Sequence, residues 1–331
     1  MTDAPTTTDG APPLEVEGVT IRISDDDGGF TVVEDMALSV GRGETLCIVG
    51  ESGCGKSMTA LSLLRLLPEA ARIESGSIRV GGTDLMGLSE RKTEDLRGER
   101  IAMIFQEPLT ALNPVMRIGA QIAEAISRHR GLGRKAARRA AVEALRGVQM
   151  PDADRRAEQY PHELSGGMRQ RAMIALALAC DPSVIVADEP TTALDVTVQA
   201  QILGLMKALQ REHGTAIVLI THDLAVVAET GDRVIVMYAG RRVEEASIID
   251  LFDAPLHPYT RGLMGAVPHG AGTGHLTDIP GTVPPLWDLP PGCAFAPRCP
   301  LADDRCRRMR PELEEHRPGH MAACWRVEDA A

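Results

Sequence analysis

Short apolar runs alternate with segments of helical periodicity along most of the chain. Runs rich in β-branched residues and bounded by Gly, Asp or Pro predict strands at residues 14–23, 31–40, 45–49, 76–80, 101–105, 184–187 and 216–220. Helical patterns occupy the segment after Lys56 up to Pro68, then residues 114–157, 168–179 and 196–212. Strands that alternate with helices predict an α/β fold, in which a mostly parallel sheet is covered on both faces.

The amino-acid composition of the chain changes near residue 251. Residues 1–13 are rich in Thr, Pro and Asp and predict a disordered tail. Residues 14–251 carry the alternating pattern and predict one α/β domain. In residues 252–331 Pro and Gly become dense, and four of the seven Cys lie there. This segment predicts a second, smaller module, and 331 residues suit two domains.

Composition and charge exclude several classes of protein. A hydrophobic fraction of 44% is sufficient for a core and excludes wholesale disorder. The longest apolar run, residues 172–180, is nine residues long, whereas a membrane helix needs about 18. The first residues lack the charged and apolar regions of a signal peptide. The net charge of −11 argues against broad binding to nucleic-acid phosphates.

A glycine-rich motif lies between a predicted strand and a predicted helix. Residues 50–57, GESGCGKS, fit the pattern GxxxxGK[ST]. Glycines let successive N–H groups turn toward phosphate oxygens, and the helix start adds a positive dipole. Lys56 would reach the β- and γ-phosphates, and the Ser57 hydroxyl would bind Mg²⁺. The predicted ATP-binding residues are Gly50, Glu51, Ser52, Gly53, Cys54, Gly55, Lys56, Ser57 and Met58.

An acidic pair follows the buried run at residues 184–187. Asp188, at the strand end, would hold Mg²⁺ through water. Glu189 would lie beside the γ-phosphate, where a carboxylate can orient and polarise the attacking water. Alone, the pair also fits a solvated acidic turn, but the phosphate-binding motif upstream favours the catalytic interpretation.

Further short motifs follow in a fixed order, and each is weak by itself. They are Gln106 after a strand, Leu164-Ser-Gly-Gly-Met168 at a helix start, Ala193-Leu-Asp195, and Thr221-His-Asp223 after another strand. The Leu-Ser-Gly-Gly string alone fits an ordinary helix start. Together with the two motifs above, the set resembles the ABC ATPases over about residues 14–251, matching their Walker A, Q-loop, signature, Walker B, D-loop and H-loop elements.

The resemblance implies the fold and the role of each site residue. It implies a P-loop ABC ATPase with a RecA-like core, an antiparallel β subdomain and a helical signature subdomain, beside the small Cys-containing C-terminal module. It also implies three catalytic residues, which are Glu189, His222 and Gln106, and a Mg²⁺ site formed by Ser57, Gln106 and Asp188. Two subunits would pack head to tail, so that one contacts the ATP of the other through Ser165, Gly166, Gly167 and Asp195.

One position departs from the family pattern. The family usually stacks adenine on an aromatic residue near the end of the first strand, and the matching position here is Ile23. Stacking on an isoleucine would be weaker. Phe30 lies a few residues further on and could substitute for it, although it equally fits a plain core position.

The C-terminal segments resemble those of the oligopeptide/dipeptide importer ATPases. The resemblance rests on His257-Pro-Tyr259, on Pro280-Gly-Thr-Val-Pro-Pro285 and on Gly292-Cys-x-Phe-x-Pro-Arg-Cys-Pro300. It then covers nearly all of residues 14–327 and implies an ATP-hydrolysing motor subunit of a peptide importer. The same branch imports nickel complexes, glutathione and some sugars. A soluble ABC ATPase acting on nucleic acid would need coiled-coil insertions, a second cassette or a basic face, and the sequence has none of these.

The importer resemblance also implies partners and a location. The partners are a second ABC ATPase in a heterodimer, two transmembrane permeases and an extracytoplasmic substrate-binding protein, with no nucleic acid. The location is peripheral, on the cytoplasmic face of the cell membrane.

Four cysteines in the C-terminal segment form a candidate metal site. Their spacing fits neither the common zinc patterns nor a ferredoxin run, so the residues alone leave metal ligands and free structural thiols open. The resemblance favours a metal, because family members with this tail can carry a [4Fe–4S] cluster, and zinc is the alternative. The four residues are Cys293, Cys299, Cys306 and Cys324.

Overall fold

The fold is known from a computed structural model that describes residues 11–24, 28–192, 194–265 and 279–328. Residues 1–10 of the predicted tail lie outside these ranges. The chain forms two compact units, each built from three segments. The first unit comprises Met1–Glu15, Ser39–Glu44 and Ile78–Val218, and the second comprises Val16–Leu38, Thr45–Ser77 and Leu219–Ala331. The predicted boundary at residue 251 stays a prediction.

The strands of the described residues are β1 (Leu14–Ile23), β2 (Phe30–Val40), β3 (Thr45–Val49), β4 (Ala71–Val80), β5 (Thr83–Asp84), β6 (Ile101–Ile104), β7 (Val184–Asp188), β8 (Ala216–Ile220), β9 (Arg233–Tyr238), β10 (Arg241–Ser247), β11 (Glu314–Arg317) and β12 (His320–Ala322). Each predicted strand corresponds to one of these strands, and β5, β9, β10, β11 and β12 are additional.

The helices include the four predicted patterns, divided more finely. They are α1 (Lys56–Leu63), α2 (Glu90–Leu96), α3 (Pro108–Ala111), α4 (Ile118–Arg130), α5 (Arg134–Gly147), α6 (Ala153–Ala157), α7 (Gly166–Leu178), α8 (Val196–His213), α9 (Leu224–Thr230), α10 (Ile248–Asp253), α11 (Pro258–Gly265) and α12 (Asp304–Arg308), with a 3₁₀ turn at Pro161–Glu163.

The first unit joins a parallel strand pair to a group of helices. Strands β6 and β7 pair in parallel with Ile101 opposite Val184, and every residue of β7 is buried. Helices α4, α5, α6 and α7 pack against one another. On α5 the buried residues are Ala137, Ala141 and Leu145, because a spacing of four residues places them on one side of the helix.

The helical pattern predicted over residues 114–157 is interrupted twice. Helix α4 ends at Gly131, which adopts a left-handed conformation with φ 64°, and a glycine is favoured there because it has no Cβ. Helix α5 ends before Gln149 and Asp152, whose φ values are 55° and 52°. The apolar periodicity continues across both breaks, so the pattern alone did not separate the three helices.

The second unit contains the other part of the strand structure. Strand β3 pairs in parallel with β9, and all five residues of β3 are buried. Strand β9 then pairs antiparallel with β10, β10 with β12, and β12 with β11. Strands β2, β1 and β4 are neighbours in that order. The prediction of a mostly parallel sheet is therefore wrong for β10, β11 and β12, because the C-terminal hairpin adds to the sheet edge in the antiparallel direction.

A buried carboxylate ties the C-terminal region to β10. Glu244 has no exposed surface, and its carboxylate accepts hydrogen bonds from the N–H of Leu256 at 2.6 Å, the N–H of His257 at 2.9 Å and Nε2 of His320 at 2.7 Å. Burial alone would raise the pKa of Glu244, but these bonds outweigh burial and hold the pKa below its usual range. The carboxylate therefore stays ionised.

An aromatic cluster lies beside this carboxylate. The chain has few aromatic residues, yet the rings of Tyr238, Tyr259 and Phe295 are mutually in contact, with centroids 4.7 to 5.4 Å apart. All three side chains are buried. The His257 ring joins them 5.8 Å from Phe295. These contacts give the Pro/Gly-rich C-terminal region a small apolar core on β9.

No helix of the described ranges combines the length and apolarity needed to cross a membrane. The α/β class is confirmed by the strand and helix order of the two units.

We expect the stability of the fold to depend on pH through His257. Burial lowers the pKa of His257 to about 4, whereas the unfolded chain has the ordinary value near 6.5. The folded state therefore resists protonation, and its stability falls as the pH drops from about 6.5 toward 4. Between pH 7.5 and pH 5 the free energy of unfolding should fall by about 2 kcal/mol because of this residue.

Denaturant titrations at both pH values measure this effect by comparing the wild-type chain with His257→Asn. The Asn oxygen can accept the Tyr259 N–H, which His257 Nδ1 accepts at 3.0 Å, but it does not titrate. The variant should lack the extra loss of stability at pH 5. If the free energy of unfolding changed equally with pH in both proteins, His257 would not contribute to the pH dependence of stability.

Candidate functional site

The predicted phosphate-binding loop, residues 50–57, connects β3 to α1 in the second unit. Its three glycines all have positive φ, 154° at Gly50, 81° at Gly53 and 100° at Gly55. A Cβ at Gly50 would lie 2.3 Å from the carbonyl oxygen of Met237, and one at Gly55 would lie 2.9 Å from that of Val32. Only glycine meets both the conformation and the close approach. The glycine spacing of the motif therefore follows from the path of the backbone.

Lys56 places a buried positive charge inside the curve of this loop. Its side chain is 6% exposed, and its ammonium donates to the carbonyl oxygens of Gly50 at 2.7 Å and Glu51 at 3.0 Å. Lys56 is also the first residue of α1, where unpaired N–H groups and the helix dipole favour an anion. The loop thus has the geometry and the charge of a phosphate-binding site.

The remaining loop residues divide into exposed and buried positions. Ser52, Gly53 and Ser57 are exposed, so the Ser57 hydroxyl is accessible to a ligand. Cys54 is 1% exposed, and burial raises the pKa of its thiol. This thiol is therefore neutral at physiological pH and contributes packing rather than charge.

Gln106 and Glu189 are in direct contact in the first unit, although 83 residues separate them in sequence. Gln106 Nε2 donates to Glu189 Oε2 at 3.0 Å, and Thr192 Oγ1 donates to the same oxygen at 2.8 Å. Glu189 has a φ of 46°, a conformation that costs a non-glycine residue about 1–3 kcal/mol and recurs at functional sites. Two donors and a strained backbone therefore fix this carboxylate.

Asp188 precedes Glu189 as the last residue of β7 and is 5% exposed. Asp188 thus ends the buried strand and Glu189 follows it directly, close to the positions that the sequence pattern predicts. The pattern does not predict Thr192 as a residue of this site. The only signal for Thr192 is its position three residues after Glu189, which is the distance that a turn spans.

The signature and D-loop residues each begin a helix of the first unit. Ser165 precedes α7, and its Oγ accepts the Met168 N–H at 3.4 Å. Asp195 precedes α8, and its carboxylate accepts the Val198 N–H at 3.0 Å. Both are ordinary N-cap bonds. Ala193 of the predicted D-loop string lies outside the described residues.

The two signature glycines differ in their surroundings. A Cβ on Gly167 would lie 3.0 Å from Val198 Cγ1, so packing between the starts of α7 and α8 favours a small residue there. A Cβ on Gly166 would meet no atom of the described chain within 4 Å. Nothing within the described part of this chain therefore requires glycine at position 166.

His222 follows β8 in the second unit and is exposed. The turn around it is fixed on both sides, because the Asp223 N–H donates to Thr221 Oγ1 at 3.0 Å and the Asp223 carboxylate accepts the Ala225 N–H at 2.9 Å. The predicted site residues thus belong to both units. The phosphate-binding loop, His222, the adenine-binding candidates and the four C-terminal cysteines lie in the second unit, whereas Gln106, the signature residues, Asp188, Glu189 and Asp195 lie in the first.

The predicted adenine-binding positions lie at adjacent strand ends. Ile23 ends β1 and Phe30 begins β2, and residues 25–27 between them lie outside the described ranges. The Phe30 ring makes an edge-on contact with Trp287, with centroids 5.6 Å apart. Trp287 is 71% exposed. The sequence pattern does not predict this contact, because 257 positions separate Trp287 from Phe30.

The four C-terminal cysteines line one small cavity. Burial raises the pKa of each thiol, to about 11 for Cys324. The other three thiols raise the pKa of Cys324 further. In the ranges that the structure describes, however, no group of three or more His, Cys, Asp or Glu side chains is arranged to hold a metal ion. The predicted cluster and its zinc alternative are therefore not supported by this arrangement, because the thiols share a cavity without converging on one point.

Two family models match the chain. Residues 33–192 match the ABC transporter family, and residues 243–306 match the oligopeptide/dipeptide transporter C-terminal region. The first range contains the phosphate-binding loop and Glu189, and the second contains Glu244 and the first three of the four C-terminal cysteines.

Curated relatives extend this similarity over most of the chain. A probable peptide ABC transporter ATP-binding protein of Sinorhizobium fredii is 58% identical over 287 residues, which are 86% of this chain and 86% of that protein. The oligopeptide transport ATP-binding protein OppD of Salmonella typhimurium is 49% identical over 314 residues, which are 95% of this chain and 93% of OppD.

A solved structure supports the same assignment for the ATPase part. The dimeric post-hydrolysis structure of the ATP-binding cassette MJ0796, bound to ADP and Pi, superposes with a TM-score of 0.64 at 28% identity and covers 71% of this chain and 98% of that chain. Together with the loop geometry and the fixed Glu189 carboxylate, these similarities show that the chain belongs to the ABC transporter family, among the ATP-binding proteins of its oligopeptide/dipeptide branch.

Proposed function

We propose that this chain is the ATP-hydrolysing motor subunit of an importer of di- and oligopeptides. The observation that carries the proposal is the match at residues 243–306, because that region is described for oligopeptide/dipeptide transporters and not for ABC proteins in general. Relatives named for peptide transport are similar over 86% and 95% of the chain.

Glu189 acts as the base for ATP hydrolysis in this proposal. A carboxylate beside the γ-phosphate accepts a proton from the attacking water and orients it. The donors Gln106 and Thr192 support the role, since they fix the carboxylate before any substrate binds. His222 contacts the γ-phosphate and helps to place the water.

Ser57, Gln106 and Asp188 would hold Mg²⁺ through their oxygens. A hydroxyl, an amide carbonyl and a carboxylate are the hard ligands that this ion prefers. The Gln106 amide fits the role because its nitrogen is engaged with Glu189, so its oxygen is the atom that a cation would meet. Mg²⁺ would neutralise phosphate charge as the transferred group leaves.

Ser165, Gly166, Gly167 and Asp195 bind across a dimer, to the ATP held by the partner's loop. The start of α7 offers N–H groups to an anion. The surroundings of Gly166 support a contact with a second molecule. A Cβ at this position would meet no atom of the described chain within 4 Å. A closely packed group from outside the chain would therefore explain why the residue is glycine.

The partners we propose are a second ABC ATPase in a heterodimer, two transmembrane permeases and an extracytoplasmic substrate-binding protein. The chain would then lie on the cytoplasmic face of the membrane. The dimeric state of the MJ0796 cassette is consistent with pairing of two ATPase subunits.

Adenine would stack on Phe30, with Ile23 as a weaker apolar contact. Phe30 is partly exposed at the start of β2, and the edge-on contact with Trp287 fixes its ring orientation. An oriented ring gives a nucleotide base a defined surface to stack on.

We further propose that Cys293, Cys299, Cys306 and Cys324 take a [4Fe–4S] cluster, with Zn²⁺ as the alternative. Four thiols that line one cavity supply the right donor set. Because burial raises the pKa of each thiol, loading must release protons. Since no three of the described side chains are arranged to hold a metal ion, the thiols must also rotate to bind one. The bound group would cross-link a region that has little apolar core of its own.

Glu189→Gln tests the catalytic role. The amide keeps the shape and both hydrogen-bonded neighbours but cannot accept a proton, so we expect ATP turnover by the assembled complex to fall by at least about 10²-fold while ATP binding is retained. Steady-state hydrolysis and equilibrium binding measure the two quantities. Thr192→Val is the matched control, since it removes one orienting donor and should cost less. Turnover at the wild-type rate in Glu189→Gln would contradict the assignment.

Transport by the complex in proteoliposomes tests the cargo. With the second ATPase, both permeases and the binding protein present, we expect ATP-dependent uptake of labelled di- and oligopeptides and little uptake of nickel complexes, glutathione or sugars. Lys56→Ala should abolish both uptake and hydrolysis, because it removes the charge that meets the phosphates. Uptake of a non-peptide cargo in preference to peptides would refute the peptide assignment and leave the ATPase assignment intact.

Anaerobic purification tests the cysteine site. We expect a brown protein with iron and acid-labile sulfide in near-equal amounts, and a loss of colour when any one of the four cysteines is changed to Ser. Cys47→Ser is the matched control, because Cys47 is a buried strand residue far from the segment in sequence. A colourless protein with stoichiometric zinc would replace the cluster with a zinc site, and one with neither metal would leave four structural thiols.

A further inference from the structure

The phosphate-binding loop is held by a residue of the C-terminal region. The Glu51 carboxylate, at the second position of the loop, receives two parallel hydrogen bonds from the Arg298 guanidinium, at 2.6 Å from Nη1 and 3.1 Å from Nη2. Such paired bonds fix both orientation and distance. The Arg298 side chain is 4% exposed and that of Glu51 is 30% exposed, so the ion pair is largely shielded from solvent.

The Arg298 guanidinium is fully satisfied where it lies. Besides the two bonds to Glu51, Nε donates to the Pro280 carbonyl oxygen at 2.9 Å, Nη2 to that of Ile279 at 3.3 Å, and Nη1 to the Tyr238 hydroxyl at 3.3 Å. Five acceptors therefore match the five N–H donors of the side chain. Lysine has neither the planar fork nor the donor number to replace it.

A second contact from the C-terminal region reaches the same loop residue. The Glu51 N–H donates to the Tyr259 hydroxyl at 2.8 Å. Tyr259 is fully buried in the aromatic cluster with Tyr238 and Phe295, so its hydroxyl is presented from a fixed position. The phenol and the guanidinium together constrain the main chain and the side chain of Glu51.

Glu51 is also where the loop meets its own lysine. Lys56 Nζ donates to the Glu51 carbonyl oxygen at 3.0 Å. The carboxylate, the N–H and the carbonyl of this one residue are thus all engaged, between glycines at positions 50 and 53 that would otherwise leave the segment pliable. A glycine-rich loop that is already ordered loses less conformational entropy when it closes around a ligand.

Charge gives a second reason for the pairing. A carboxylate in a loop that surrounds phosphates would repel them, and the repulsion is strong where solvent is partly excluded. The hydrogen bonds to Glu51 raise the pKa of Arg298, so the guanidinium remains charged and offsets the carboxylate at every physiological pH.

We propose that Arg298 is a positioning residue for nucleotide binding, and that it sets the ATP affinity of the core by holding the phosphate-binding loop through Glu51. The C-terminal region is then a working part of the nucleotide site, in addition to any role in cargo or metal binding. The proposal rests on nucleotide binding by the loop and is independent of which cargo is carried.

Arg298→Met tests the proposal, because methionine keeps an unbranched apolar stem and removes the charge and all five donors. In the full chain we expect the Kd for ATP, measured with a fluorescent ATP analogue, to rise at least tenfold. In the assembled complex we expect the KM for ATP to rise while kcat at saturating ATP changes less than twofold. Glu189→Gln should do the opposite, lowering kcat with little change in Kd.

Arg310→Met is the matched control. Arg310 also belongs to the C-terminal region and also pairs with a glutamate, at 3.3 and 3.4 Å, but its partner is Glu34 of β2 and not a residue of the loop. It should change the Kd less than twofold. An equal loss of affinity in both variants would overturn the proposal, because it would trace the effect to general loosening of the region.

A double-mutant cycle tests whether Arg298 acts through Glu51. In a Glu51→Ala background, Arg298→Met should change the Kd less than twofold, since the group through which it acts is absent. An undiminished effect in that background would overturn the proposal.

Two further variants keep the test decisive. If Arg298→Met does not fold, Tyr259→Phe removes only the hydroxyl that holds the Glu51 N–H, and it should raise the Kd at least threefold. An unchanged Kd in a folded Tyr259→Phe protein would then count as refutation. Lys56→Ala should lose ATP binding in every case. If it does so while Arg298→Met binds normally, the nucleotide site stands and the positioning role is wrong.

Discussion

The backbone conformation of the phosphate-binding loop is the constraint on which much of the second unit depends. Gly50 and Gly55 adopt positive φ values while the carbonyls of Met237 and Val32 lie where their Cβ atoms would be. Strands β2 and β9 can approach the loop this closely only because both positions lack a side chain. The same curve directs the Lys56 ammonium inward and starts α1 at the phosphate site. Strand packing and ligand binding thus both depend on glycine at positions 50 and 55.

Two glutamates show how the C-terminal region is attached by charge rather than by apolar area alone. Glu244 is fully buried, and three donors from the C-terminal region converge on it. Glu51 is partly exposed and pairs with one arginine whose five donors are all used. Removing Glu244 would leave its three buried donors without their acceptor, and removing Glu51 would leave the buried Arg298 guanidinium without its counter-charge, which is costly. The Pro/Gly-rich segment is therefore placed by specific polar contacts, with the Tyr238, Tyr259 and Phe295 rings filling the space between them.

Features that depend on local sequence could be predicted, and features that join distant segments could not. The buried strands β3, β7 and β8, the loop at residues 50–57 and the acids after β7 all leave a signal within a few residues. The breaks between α4, α5 and α6 leave only a weak signal in the sequence, because the apolar periodicity continues through them. The contact between Glu51 and Arg298 spans 247 positions, and although each residue lies in a recognisable motif, nothing near either one indicates that the two are partners.

The two hydrogen-bond partners of Glu189 differ in how far the sequence predicts them. The family resemblance assigns Gln106 and Glu189 to one site, and Gln106 Nε2 donates to Glu189 Oε2, while the catalytic roles of both residues stay predictions. The sequence does not predict Thr192 there, since a threonine after an acidic pair is common in any turn. The spacing of the four C-terminal cysteines left metal ligands and free thiols open, and only the family resemblance favoured a common site. They line one cavity, whereas the orientation of their thiols depends on the turns that carry them and cannot be predicted from the spacing.

The span between Glu51 and Arg298 has a consequence for the order in which the protein is made. Ribosomes add roughly 5–20 residues per second, so 247 residues correspond to roughly 10–50 seconds between synthesis of the loop and synthesis of the arginine that pairs with it. During that interval the nascent chain already carries the glycines and the lysine of the loop, but the Glu51 carboxylate lacks the guanidinium that pairs with it in the folded protein. A chain terminated before residue 298 would keep every nucleotide motif through His222 and remain in that immature state.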